Sequence, residues 1–259
     1  MINPLVLVVL IIFSSSLYAQ TAEEKGLRIA QEAERRDEGW GDSQVTMEMI
    51  LSDRRGTSVT RSLRLFRLEM ANDGDKSLII FDDPLDVKGT ALLTFSHKTN
   101  ADDQWLYLPA VKRVKKIASK NKSGPFVGGE FAFEDLASQE VEKYRYRYIR
   151  DDEIDGSVVF VIERTPIDPY SGYTQQLVYI DQEHYRISKV EYFDRKNAPL
   201  KVLYFRDYKQ YLDQHWRSHS MLMNNLQTGR ATELVYEGFK FRDGLTENNF
   251  TTNALRRAR

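Results

Sequence analysis

The residues best suited to chemistry in this chain are His215 and His219, four apart in HWRSHSMLM, and the adjacent carboxylates Asp82 with Asp83, Asp102 with Asp103 and Asp151 with Asp152. On a helix, two histidines at that spacing share a face and can hold zinc. HWRSHSMLM instead alternates as a strand does, and it lacks the glutamate of a metalloprotease motif. The carboxylate pairs fall at turn positions, where solvated side chains explain them without acid–base work. The chain has four histidines and no cysteine, which removes thiol catalysis, disulfides and a thiol-linked lipid anchor. There is no G-x-S-x-G elbow, no P-loop and no dinucleotide fingerprint. A net charge of -1 lacks the basic excess of a phosphate-gripping protein. The expectation is no enzyme, no metal, no cofactor and no nucleic-acid partner.

Residues suited to binding are more numerous. In QWLYLP, Trp105 and Tyr107 take one face of a strand and Leu106 and Leu108 the other, so the strand needs cover on both faces: either a lipid cavity or ordinary core under a helix. The stretch GPFVGGEFAFEDL sets Phe126, Phe131, Phe133 and Leu136 among three glycines. Each such side chain stabilises by about 1.5–3 kcal/mol when fully buried, so the segment either folds into the core or closes as a mobile flap over an apolar cavity. Between these two stretches, VKRVKKI places Lys112, Arg113, Lys115 and Lys116 on both faces of a strand. With Lys120 and Lys122 they could meet lipid phosphates, an anionic membrane surface or an acidic partner, or else protect a solvated sheet edge against pairing with another chain. In KYRYRYIR, Tyr144, Tyr146 and Tyr148 share one face and Arg145 and Arg147 the other, as at a cavity mouth or on a half-exposed sheet.

The elements that position these residues are read from periodicity. TAEEKGLRIAQEAERRDEGWG opens with a capping box, Thr21 and Glu24, and spaces Leu27, Ala30 and Ala33 helically, predicting a helix that ends near Gly39 and needs a larger apolar surface to lie on. From QVTMEMILS onward the pattern alternates, with Val45, Met47, Met49 and Leu51 on one side, and strand follows strand to Phe241. Short turns such as DRRG, ANDGD, DEIDG, DRKNAP and LQTG suit antiparallel hairpins. Only 118–139 is long enough for a helical crossover, which argues against a parallel sheet. Residues 1–19 read as a secretory signal peptide, apolar from Pro4 to Phe13 and ending at the small Ala19, too short to span a bilayer as a helix. The expectation is a single mature domain over 20–259, secreted to the periplasm.

The segment DDPLDVKGTALLTF, followed by DDQWLYLPAVKRVKKIASKNKSGPFVGGEFAFEDL, resembles the signature of the outer-membrane lipoprotein-sorting proteins of the LolA-like superfamily. The likeness continues through KVEYFDRKNAPLKVLYFRDY, HWRSHSMLMNN, TGRATEL and NNFTTNAL. It departs at FVGGE, where relatives carry a Met-Gly-Ser type sequence. The resemblance implies a mainly β fold: an incomplete, strongly curved antiparallel half-barrel with an N-terminal helix and short lid helices or a loop. It implies acyl chains held on the concave face, with Trp105, Tyr107, Phe126, Phe131, Phe133 and Leu136 as wall or lid, and Lys112, Arg113, Lys115 and Lys116 toward a headgroup or partner. The function implied is a periplasmic carrier of a lipid or acylated protein between an inner-membrane transporter of the RND or MMPL type and an outer-membrane acceptor. A lipid-sensing accessory subunit of such a transporter would need the same cavity.

Overall fold

The structure, a computed structural model, describes residues 20–257. The signal-peptide reading of 1–19 lies outside the described residues. Helix α1 (Ala22–Asp37) opens with the expected capping box: the Glu24 backbone N–H donates to Thr21 Oγ1 (3.1 Å) and the Thr21 N–H to the Glu24 carboxylate (3.0 Å). Six strands follow, β1 (Asp42–Ser52), β2 (Ser58–Leu68), β3 (Lys76–Asp83), β4 (Ala91–Phe95), β5 (Asp103–Leu108) and β6 (Arg113–Lys116). A long connection, 117–143, carries four short 3-10 turns. Seven more strands complete the sheet: β7 (Tyr144–Ile154), β8 (Ser157–Pro166), β9 (Tyr173–Asp181), β10 (Ile187–Asp194), β11 (Pro199–Tyr211), β12 (His215–Asn225) and β13 (Ala231–Phe241), with helix α2 (Thr252–Arg257) near the C-terminus.

All thirteen strands form one antiparallel sheet in the order β6-β5-β4-β3-β2-β1-β13-β12-β11-β10-β9-β8-β7, open between β6 and β7 and strongly curved. The alternation in the sequence sets the concave face. Val45, Met47 and Met49 of β1, Leu63 of β2 and Leu234 and Tyr236 of β13 all join one buried cluster there. Register shifts between Gln44 and Thr46 and between Tyr148 and Arg150 mark bulges, which bend strands and increase local twist.

Strands β3, β4 and β5 are apolar on both sides because both sides are covered. Ile79, Phe81 and Leu92 enter the concave cluster, whereas Leu78, Ile80 and Leu93 pack under α2 with Phe250 and Leu255. The connection 117–143 covers the concave side as a plug, with Phe126 and Phe131 fully buried. Its FVGGE sequence fits that seat. Gly128 takes a φ of +79°, and a Cβ on Gly129 would lie 2.3 Å from Met49 Cε, so a side chain there would have to displace the end of Met49.

The plug is held by polar contacts to distant strands. Lys201 Nζ donates to the Glu130 carbonyl (2.9 Å) and to Asp135 (2.7 Å), and the ion pair is almost wholly buried, each side chain 4% exposed. Tyr173 donates its hydroxyl to Asp135 (2.8 Å), while the Glu134 carboxylate accepts from Ser171 Oγ and the Gly172 N–H (both 2.8 Å). Burial, with Asp135 alongside, raises the Glu134 carboxyl to about 7.

Candidate functional site

Helix α1 lies across the concave face on β7. Gly26 makes this approach possible, since a Cβ there would sit 2.7 Å from the Arg147 carbonyl carbon and the Tyr148 nitrogen. The same helix turns Ile29 and Ala30 inward, and Lys25 reaches over the Tyr148 ring at 3.4 Å. The thin apolar stripe of the helix thus finds the larger surface it needs.

Beneath the C-terminal half of α1 the concave face is not filled. A cavity of about 1080 Å³ remains, bounded by α1, by β7, β8 and β9, by the β2–β3 and β9–β10 connections, and by the end of the plug. That volume is slightly above the roughly 300–1,000 Å³ of ligand pockets. Its apolar lining is Ala30 of the overlying helix, Val141 at the end of the plug, and Tyr146, Ile162, Val178, Ile180 and Ile187 of the strands below. Around them stand aromatic side chains bearing cations. Arg186 stacks over Trp216 (4.5 Å) and pairs with Asp181 (2.9 Å), Arg36 lies over Tyr185 (4.2 Å), and Arg67 over Trp40 (5.0 Å).

Two charged groups in the wall stand out. Arg164 is only 6% exposed, donates to Gln176 Oε1 (2.5 Å) and lies over the Tyr144 ring (4.7 Å), yet no carboxylate stands within ion-pair distance among the described residues. Glu140 is buried close to Glu34 and Glu142, with carboxylate oxygens of the three within 4.8 Å. Desolvation, then repulsion from Asp75, raises Glu140 to about 7, and desolvation raises Glu34 as well. Lys98 and Lys143 oppose the rise at Glu140. These three carboxylates are the group among the described residues that could share a cation.

The six residues expected at an apolar cavity divide between the two faces. Trp105 and Tyr107 pack in the convex cluster under α2, with Trp105 edge-on to Phe95 at 5.1 Å. Phe126, Phe131, Phe133 and Leu136 belong to the concave cluster as parts of the packed plug, and none of the six lines the cavity. Lys112, Arg113, Lys115 and Lys116 are exposed on or beside β6, the terminal strand of the sheet. Val111 belongs to a 3-10 turn, Pro109–Val111, rather than to that strand. Lys116 is paired with Asp103 (2.6 Å).

His215 and His219 do lie on a strand, roughly 13 Å apart at its rise, too far to share an ion. The carboxylate pairs are placed differently from the expectation. Asp82, Asp151 and Asp152 lie within strands and not in turns, where Asp82 takes two hydrogen bonds from Arg64 (2.8 and 2.7 Å) and Asp152 pairs with Arg150 (2.7 Å). Asp102 precedes β5 and is held by Lys143.

The cavity wall was missed by sequence reasoning because its residues sit in strands that alternate like any other. The tyrosine face of β7, with Tyr146 in the wall and Tyr144 beneath Arg164, was the one legible signal.

A family model described only as an uncharacterized protein matches residues 73–257. No curated protein matches the sequence. Among solved structures, an outer-membrane lipoprotein-sorting protein domain from Vibrio parahaemolyticus is 58% identical, with 90% of this chain and 99% of that chain covered and a TM-score of 0.89. A DUF1329 family protein from Desulfovibrio piger is 26% identical over 91% of this chain and 99% of its own, with a TM-score of 0.86. The LolA superfamily protein NE2245 from Nitrosomonas europaea, 22% identical over 91% of this chain and 100% of its own, has a TM-score of 0.71 and shares the fold. The curved open sheet, the helix laid across it and the 58% identity make this chain a member of the outer-membrane lipoprotein-sorting family with the LolA-like fold.

Proposed function

We propose that this protein is a periplasmic carrier that shelters an acyl chain of a lipid or lipoprotein in the cavity beneath α1. The observation that carries the reading is the unfilled volume of about 1080 Å³ on the concave face, with an apolar floor of Ile162, Val178, Ile180 and Tyr146. Each methylene removed from water contributes about 0.8 kcal/mol, so a chain laid along that floor is held without a specific polar contact. Arg164, a buried guanidinium without a carboxylate partner, suits the carbonyl or acid end of such a chain. Phe126, Phe131, Phe133 and Leu136 fill the neighbouring part of the concavity. Among the described residues no helix is long and apolar enough to cross a membrane. Delivery runs, in this reading, from an inner-membrane transporter of the RND or MMPL type toward an outer-membrane acceptor.

The test is to fill the cavity from the helix. Ala33 faces it and is half-buried. Ala33→Trp should lower affinity for a fluorescent fatty-acid probe at least tenfold with the fold intact. Unchanged affinity in a folded variant would move the ligand, or the function, elsewhere.

A further inference from the structure

The large apolar side chains more than half exposed lie mostly toward one end of the sheet, Val158 at the start of β8 being the exception. Leu85 is 86% exposed and Val111 58%, and Ile167, Tyr170 and Leu226 are each more than half exposed. They sit in the connections β3–β4, β5–β6, β8–β9 and β12–β13. In an all-antiparallel order, β3, β5, β8 and β12 run the same way, so these connections leave the sheet at one end. Adjoining connections touch along that end. Arg195 donates to the Tyr170 carbonyl (2.8 Å), and Gln227 to Asp194 (2.9 Å).

These tips are held out by built turns. Around Leu85 the N–H groups of Val87 and Lys88 both donate to the Pro84 carbonyl (3.1 and 2.9 Å), Gly89 N–H donates to the Phe81 carbonyl (2.8 Å), and Val87 is buried as the anchor. Val111 closes a 3-10 turn through Lys112 N–H to the Pro109 carbonyl (3.0 Å). A rigid turn that keeps a leucine in water stabilises nothing in the isolated chain.

The same end carries a group of exposed cations. Arg54, Arg55, Lys88, Lys112, Arg113 and Lys196 are exposed there, and no carboxylate stands within ion-pair distance of them among the described residues. Most acids at this end accept backbone N–H groups within their own turns, which fixes their position without removing their charge. Asp53 accepts from the N–H groups of Arg55 and Thr57, Asp168 from that of Tyr170, and Asp194 from those of Lys196 and Ala198. Asp83 and Asp86, beside Leu85, are the exceptions.

We infer that this end of the half-barrel docks on an anionic bilayer surface, with Leu85, Val111, Tyr170 and Leu226 entering the headgroup region and the basic side chains meeting lipid phosphates. Separate apolar tips on separate turns do not make the contiguous patch that a protein partner buries, whereas a fluid interface accommodates each one by itself. The cavity is bordered by connections of the opposite end, Glu69, Asp73 and Asp75 after β2 and Asp213 and Gln214 after β11. Docking therefore leaves the cavity facing away from the lipid and open to a soluble partner. The inference stands independently of what the cavity holds.

The test is vesicle sedimentation with the chain from Gln20 onward, which contains the whole described fold and omits the apolar leading segment. Wild type should bind phosphatidylcholine–phosphatidylglycerol vesicles and bind phosphatidylcholine alone at least tenfold more weakly. Leu85→Ser with Val111→Ser should weaken binding roughly tenfold or more. Lys112→Glu with Arg113→Glu should weaken it at least as much at low salt and much less at high salt. Leu212→Ser, at the opposite end and also exposed, should bind as wild type does. All these positions are exposed, so melting temperatures should match wild type. Equal binding by wild type and both double variants, equal binding to neutral and anionic vesicles, or no binding at all overturns the inference. So does a capture of a transporter's periplasmic domain that the double variants lose without any vesicle binding by wild type.

Discussion

Replacing Phe131 with alanine separates a packed plug from a moving flap. Phe131 is 1% exposed, lies in the concave cluster, and sits between Glu130, whose N–H donates to Thr232 Oγ1 (3.0 Å), and Ala132, whose N–H donates to Asp135 (2.6 Å). Glu130 is tied directly to the sheet, and Ala132 is tied to it through Asp135 and its ion pair with Lys201, so the backbone is not free to collapse into the space the ring leaves. The loss should therefore approach the full truncation cost of a buried phenylalanine, about 3–5 kcal/mol. For a chain of this size each kcal/mol moves the melting temperature by roughly 2–4 °C, so Phe131→Ala should melt about 6–20 °C below wild type. Phe133, half-buried and edge-on to Phe126 at 5.6 Å, should lose clearly less when truncated. Differential scanning calorimetry reads both, with acyl-probe binding measured per folded molecule alongside. A melting temperature within about 2 °C of wild type, with probe binding abolished, would refute the packing argument and restore a flap.

Three other perturbations have defined outcomes. Gly26→Ala should destabilise despite alanine's higher helix propensity, because its Cβ would meet the β7 backbone at 2.7 Å, and urea midpoints should show the drop. Glu134 and Glu140, raised to about 7 by burial, bind protons more tightly folded than unfolded. Stability should thus be highest near pH 4.5, fall as pH rises to about 7, and level off above; Glu140→Gln should flatten that slope in unfolding curves taken from pH 5 to 8. Arg164→Met should lower affinity for a probe with a free carboxylate about tenfold or more and leave a neutral alkyl probe nearly unaffected in fluorescence titrations.

Much of the fold was legible because the physics is local. The capping box at Thr21 and Glu24 and the alternation of Val45, Met47 and Met49 each follow from contacts within a few residues or one strand period. The both-sided apolar character of β5 correctly called for two covers, one being α2 and the other the plug. What was not legible depends on residues far apart. Glu130 meets Thr232 and Asn225, and Asp135 meets Tyr173 and Lys201, so nothing near GPFVGGEFAFEDL says that the segment is pinned. The cavity arises from the curvature of the sheet and from Gly26 letting α1 lie close on β7; Ile162, Val178 and Ile180 carry no mark that distinguishes a cavity floor from filled core. Gly26 read as a weakness of the helix, while the structure uses it as the contact point.

The most direct measurement of the central claim is native mass spectrometry of the protein isolated from its own cells without detergent, followed by organic extraction and identification of what is released. A carrier built around the cavity beneath α1 should release an acyl lipid or acylated peptide in near-stoichiometric amount from wild type and far less from Ala33→Trp. Protein that comes out without acyl cargo, and that in its delipidated form binds no fatty-acid probe, would contradict the account.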